Sequence, residues 1–135
     1  MSQENVEIVR RGIDAFNRLD GEATRDLWAT DGEWRSLYLG DGLLDGTIYR
    51  GADQVVEFVE QQAETWESAA VEALEIREVD DDVIVKFRLS AIGRASGIPV
   101  DRVTWNVFTL HDGKITAGRS YLTEHEALEA VGLEG

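Results

Sequence analysis

The chain has 135 residues, 43% apolar and 30% charged, a balance that fits one self-folding globular domain spanning 1–135. Its 13 Lys and Arg against 27 Asp and Glu give a formal charge of −14, which argues against nucleic acid and anionic membranes as partners, because both demand basic surface. The absence of cysteine excludes disulfides, thiolate nucleophiles and cysteine-ligated metal centres. Glu4, Glu7, Arg10 and Arg11 interrupt every early apolar run, so no signal peptide or membrane span is expected and a cytoplasmic location is.

Val6, Val9, Ile13 and Phe16 recur at helical spacing with charges on the other faces, which predicts an amphipathic first helix. Asn17 to Gly21 punctuates it, and Asp20 is the expected N-cap of a short second helix running through Leu27 and Trp28. From Glu33 to Leu39, Trp34, Ser36 and Tyr38 alternate with Arg35, Leu37 and Leu39, a strand pattern. Gly40, Gly42 and Gly46 with two Asp then read as a mobile or ligand-facing loop.

Val55, Val56, Phe58, Val59, Ala63 and Trp66 form the apolar stripe of a third helix over about 52 to 67. Strands are expected at 71–79, 83–95, 99–110 and 114–122, with turns at Asp80-Asp81-Asp82, Ser96-Gly97 and Asp112-Gly113. The Asp-Gly pair suits a type I′ hairpin, so these strands should pair consecutively and antiparallel. Thr123-Glu124-His125-Glu126 has the form of a capping box and starts a short C-terminal helix.

Helices first and strands later give an α+β fold, with the dry face of Val85, Phe87, Leu89 and Ala91 turned toward the helices. The strand from 99 is apolar on both sides, which predicts a homodimer through an outer sheet face of Val103, Trp105 and Val107.

Several local patterns, in their order along the chain, carry a resemblance to a known family. They are Met1-Ser2-Gln3-Glu4-Asn5-Val6-Glu7, Ala15-Phe16-Asn17-Arg18, Glu33-Trp34-Arg35, Tyr49-Arg50-Gly51, Phe108-Thr109-Leu110-His111-Asp112-Gly113-Lys114-Ile115 and Glu126-Ala127-Leu128-Glu129-Ala130. Together they are similar to the SnoaL-like branch of the nuclear transport factor 2-like superfamily. The resemblance implies three helices of the N-terminal half packed on a strongly curved, mainly antiparallel sheet. The sheet forms a cone-shaped α+β barrel, open at one end around a small-molecule pocket, with a short C-terminal helix. Members include steroid isomerases, polyketide cyclases and epoxide hydrolases, so the fold alone does not fix an activity.

In such a cone the inward residues should be Trp28, Trp34, Ser36, Tyr38, Phe58, Arg102, Thr104, Asn106, Ser120 and Leu122. The resemblance puts Ser36 where steroid isomerases carry the proton-moving carboxylate, Asn106 where they carry a protonated acid, and Gly12 where they carry a phenol. All three depart, and a hydroxyl does not replace an ionised carboxylate as base near neutral pH. Arg119-Ser120-Tyr121 stands where the epoxide hydrolases carry Arg-Asp-Tyr, so that carboxylate is missing too.

Asn106 is the polar residue of most interest, as an amide able to donate to a ligand carbonyl or an oxyanion. Ser36 and Ser120 accompany it without an evident base, and Arg102 could meet an anion or sit in a rim ion pair. Trp28, Trp34 and Tyr38 suit a flat ligand, whereas Trp66 reads chiefly as core. His111 and His125 are far apart, so no metal site or other cofactor is expected. Asp41 and Asp45 are the reserve carboxylates for a mobile base. The expected function is binding of a small, largely apolar molecule, with no catalytic residue assigned. The alternatives are an isomerase, cyclase or hydrolase, and a protein-interaction module with a filled cone.

Overall fold

A computed structural model describes residues 2–35 and 48–133. In chain order the elements are α1 (Ser2–Arg18), α2 (Gly21–Leu27), β1 (Trp28–Arg35), β2 (Ile48–Arg50), α3 (Ala52–Thr65), β3 (Trp66–Val79), β4 (Asp82–Gly93), β5 (Pro99–His111), β6 (Lys114–Tyr121) and α4 (Glu124–Ala130). The helix starts follow the sequence. Asp20 caps α2 by accepting from the Ala23 N–H at 3.0 Å, and Thr123 caps α4 by accepting from the Glu126 N–H at 3.2 Å. The Glu126 carboxylate accepts from the Thr123 hydroxyl at 3.1 Å rather than reaching back to the backbone, so the capping box is only half built.

Six strands form one sheet in the order β2-β1-β6-β5-β4-β3, which does not close. From β3 to β6 the pairing is consecutive and antiparallel, and the Asp112-Gly113 hairpin has positive φ at both residues (50° and 77°), as a type I′ turn requires. β1 breaks this order: it lies parallel to β6, with a register shift between Trp28 and Glu33, and carries the short β2 antiparallel on its other side. The sheet is therefore mixed. β1 begins at Trp28, which opens the strand instead of ending α2, and the part of the expected strand beyond Arg35 lies outside the described residues. β3 begins at Trp66, five residues before the apolar alternation starts, because its pairing with β4 runs on to Gly93.

Directly paired residues share a face, so the registers sort the side chains. One face carries Val85, Phe87, Leu89 and Ala91 of β4, all buried: Val85 and Phe87 join Ile8, Val9 and Val55 of α1 and α3 in the main core, and Leu89 and Ala91 form a smaller cluster with Trp66. The opposite face carries Ile84 and Val107, covered by Ala127 and Leu128 of α4. The same face carries the three residues of the expected dimer surface. Val107 is wholly buried within its own chain, while Val103 is exposed and Trp105 half-buried under the Lys86 ammonium, 5.3 Å from its ring. Beside Val103, Arg88 donates twice to Asp101, at 2.9 and 2.8 Å, and these hydrogen bonds hold the Asp101 carboxyl below the ordinary aspartate range.

β3 is a sheet edge, and α1 guards it. Asn17 donates from Nδ2 to the Val71 carbonyl at 2.9 Å and accepts the Val71 N–H at 2.8 Å, so one amide side chain stands in for a neighbouring strand. At the start of β3, the Arg94 guanidinium donates to the carbonyls of Ala63 and Trp66 and ties down the α3–β3 corner.

Candidate functional site

A cavity of about 130 Å³ lies between α1, α2, α3 and the helix-facing side of the sheet. Its walls follow from the faces already described. α1 contributes Val9, Gly12, Ile13 and Phe16, α3 contributes Val55, Phe58, Val59 and Gln62, and the strands contribute the residues on their inner rungs. All four Phe of the chain and three of its four Trp line this one space. The rings brace one another: Trp34 stacks on Phe108 with centroids 5.9 Å apart and planes 6° from parallel, and meets Trp28 edge-on at 6.5 Å. Gly118 on β6 makes this possible, since a Cβ there would stand 2.6 Å from Trp34 Cε3 and 3.1 Å from Trp28 Cη2. The Trp34 indole N–H is buried without a hydrogen-bond partner among the described residues, a state that costs about 1–3 kcal/mol.

Three polar side chains interrupt the apolar wall as a row across β5 and β6. Ser120 donates to the Asn106 Oδ1 at 2.5 Å, and Asn106 Nδ2 donates to Thr104 Oγ1 at 3.4 Å, a long contact. They are 7%, 2% and 4% exposed for Ser120, Asn106 and Thr104 respectively. Two more polar residues, Thr24 and Gln62, line the cavity with their groups engaged. The Thr24 hydroxyl donates to the Asp20 carbonyl, and the Gln62 amide donates to Phe58 O while accepting from Trp66 Nε1, each at 2.9 Å. Among the described lining residues none is titratable.

Of the residues expected inside, Trp28, Trp34, Phe58, Thr104, Asn106 and Ser120 line the cavity, and so does Gly12. Arg102 and Leu122 do not. Arg102 is exposed near the start of β5, where its charge keeps its water, and Leu122 falls just past the end of β6 and is 43% exposed. Ser36, Tyr38, Asp41 and Asp45 lie outside the described residues. Trp66, read as core, is both: it is 6% exposed and forms part of the wall.

Sequence reasoning passed over Thr24 and Gln62. Each sits on the buried side of a helix among apolar neighbours, and that placement was the available signal. His111 and His125 stand on the surface, 3.3 Å from Asp112 and 3.5 Å from Glu129. Among the described residues no three His, Cys, Asp or Glu side chains are grouped to hold a metal ion. No described helix is long and apolar enough to cross a membrane.

A family model, the SnoaL-like domain, matches residues 9–118. No curated protein matches the chain in sequence. Among solved structures, a protein of ketosteroid isomerase-like fold from Catenulispora acidiphila, in complex with trimethylamine, superposes with a TM-score of 0.76 at 18% identity, covering 94% of this chain and 93% of its own. A protein assigned as a SnoaL-like polyketide cyclase from Jannaschia has a TM-score of 0.73 at 22% identity, with 96% and 91% covered. An epoxide hydrolase from M. tuberculosis has a TM-score of 0.72 at 16% identity, with 96% and 90% covered. At such identities the likeness is one of fold: four helices on an open mixed sheet, the nuclear transport factor 2-like α+β cone.

Proposed function

Since the chain belongs to the SnoaL-like domain family, whose fold serves several chemistries, we propose from its own cavity that it binds a neutral, largely apolar small molecule of about one ring in size. The observation that carries this reading is a wall rich in aromatic side chains, with one polar row and no titratable group among the described residues. Burying an ionised ligand there would leave its charge without a partner, a penalty of several kcal/mol. The volume is close to the ~150 Å³ at which an apolar cavity takes up benzene, and well below the several hundred Å³ of drug-sized sites.

A filled cone, which a pure protein-interaction module predicts, fits this cavity less well. An isomerase, cyclase or hydrolase would need a base, and none of the described lining residues is titratable, whereas their aromatic wall suits a bound ring. On that ground binding ranks ahead of catalysis. We place the protein in the cytoplasm as a homodimer that meets through the outer sheet face at Val103 and Trp105, with Val107 acting as support beneath α4.

The test compares toluene with benzoate, a single ring without and with a carboxylate. Toluene is expected to raise the melting temperature by the same amount from pH 6 to pH 9, and benzoate to leave it unchanged. Stabilisation by benzoate alone, or by neither, would overturn the reading.

A further inference from the structure

Gly12 stands where the buried stripe of α1 calls for a side chain. From the space it leaves we infer that Gly12 sets the shape of ligand the cavity admits: a ring carrying one short alkyl substituent, with that substituent seated between Gly12 and Ile115. The inference rests on the binding reading above and adds the ligand's shape and the residue that selects it. Val9, Gly12, Ile13 and Phe16 follow one another at i, i+3, i+4 and i+7, and all four line the cavity. Three of the four present apolar side chains and Gly12 presents none. A glycine inside a helix weakens it relative to alanine, because its backbone has more freedom to lose and exposes more of itself.

The fold supplies no reason for that loss. Every other described glycine either has a positive φ or would hold a Cβ within 3.0 Å of a neighbouring atom. Gly12 does neither: a Cβ there would meet only Ile115 Cδ1, at 3.8 Å, an ordinary van der Waals contact. α1 runs unbroken from Ser2 to Arg18, so the glycine ends no helix. What a methyl group at position 12 would take up is the cavity itself. The side chains next to that space, Val9 one turn earlier and Ile115 across from it, are aliphatic. The rings gather instead around Trp34, with Phe58 and Phe108 at 5.8 and 5.9 Å between centroids. An aromatic body matches the ring cluster, and an alkyl group matches the aliphatic corner.

At this position stability and binding therefore pull in opposite directions. Filling the space strengthens the helix of the empty protein and displaces no atom, yet it removes the seat of the substituent. A glycine kept for the fold would show the reverse, a less stable free protein.

The test measures benzene and toluene binding by calorimetric titration of the wild type, Gly12→Ala and Gly12→Ala/Ile115→Val. In the wild type toluene is expected to bind about fourfold tighter than benzene, the worth of one buried methyl. Gly12→Ala is expected to raise the melting temperature of the ligand-free protein and to lower the toluene-to-benzene affinity ratio about tenfold. Adding Ile115→Val removes Cδ1, the atom nearest the added methyl, and should restore most of the ratio. In the wild-type complex, nuclear Overhauser effects from the toluene methyl should reach the Gly12 Hα and Ile115 δ1 protons, a measurement that needs no variant to fold. A ratio unchanged in Gly12→Ala, or a toluene methyl whose Overhauser contacts lie elsewhere, overturns the inference and leaves the binding reading standing. A lower melting temperature of ligand-free Gly12→Ala overturns it as well, because the space would then belong to the fold. If neither benzene nor toluene binds the wild type, the binding reading itself falls and takes the inference with it.

Discussion

At the scale of single residues, the architecture of the cavity turns on a missing side chain. Gly118 lies on β6 opposite Trp34 of β1 and Phe108 of β5, and its bare Cα lets the Trp34 indole lie flat against the strand. A methyl group there would meet Trp34 at 2.6 Å, far inside contact distance, and the second indole, Trp28, blocks the sideways escape at 3.1 Å. Gly118→Ala is therefore expected to cost about 1–3 kcal/mol of stability by urea denaturation, the range for overpacking a close-packed interior. The stacked Trp34–Phe108 pair should also lose its near-UV circular dichroism. An unchanged spectrum would mean that the indole has room that the packing denies. Asn106 and Ser120 were legible in the sequence because each is a polar residue on the inward parity of a strand. Gly118 was not, since a glycine inside a strand pattern names no partner until β1 is known to lie beside β6.

Among the elements, the hairpins from β3 to β6 could be read directly, because alternation and turn chemistry are both local. The parallel β1–β6 pairing was not readable. It joins residues about 85 positions apart, and the sequence Trp28-Ala29-Thr30-Asp31-Gly32 has neither alternation nor β-branched density. The first five residues of β3 escaped for the same reason: Glu67-Ser68-Ala69-Ala70 are poor strand formers held extended by β4. Asn17 shows the converse. It looked like punctuation after a helix, yet its amide satisfies both backbone groups of Val71, a residue that also lines the cavity. Asn17→Ala should release α1 from the β3 edge at a cost of about 1–3 kcal/mol, the sum of two ordinary hydrogen bonds. Hydrogen exchange should then show faster loss of protection at the Val71 amide than at Val85, in the sheet interior. Equal acceleration at both sites would point to a global rather than a local role for the contact.

For the whole molecule, charge sets the conditions under which the fold and any assembly hold. The formal charge of −14 is spread over a chain whose described ion pairs all lie at the surface, where screening leaves each with a small contribution. Self-repulsion among the unmatched carboxylates opposes the compact state, and it opposes bringing two copies together still more. The exposed Val103 and the Trp105 ring with its Lys86 cap form the apolar part of the outer face, but two copies meeting there place like net charges on both sides. Raising ionic strength from about 0.01 M to about 0.15 M shortens the Debye length from about 30 Å to about 8 Å, which removes most repulsion between whole surfaces while leaving apolar contact intact. The melting temperature is therefore expected to rise over this range, and the dimer fraction in sedimentation velocity to rise with it. Val103→Glu should keep the first effect and abolish the second, because it adds a charge at the contact on an exposed residue that belongs to none of the buried clusters. If sedimentation shows only monomers at every salt concentration while the melting temperature still climbs, self-repulsion within one chain is the whole of the effect, and the outer face is not where copies of this protein meet.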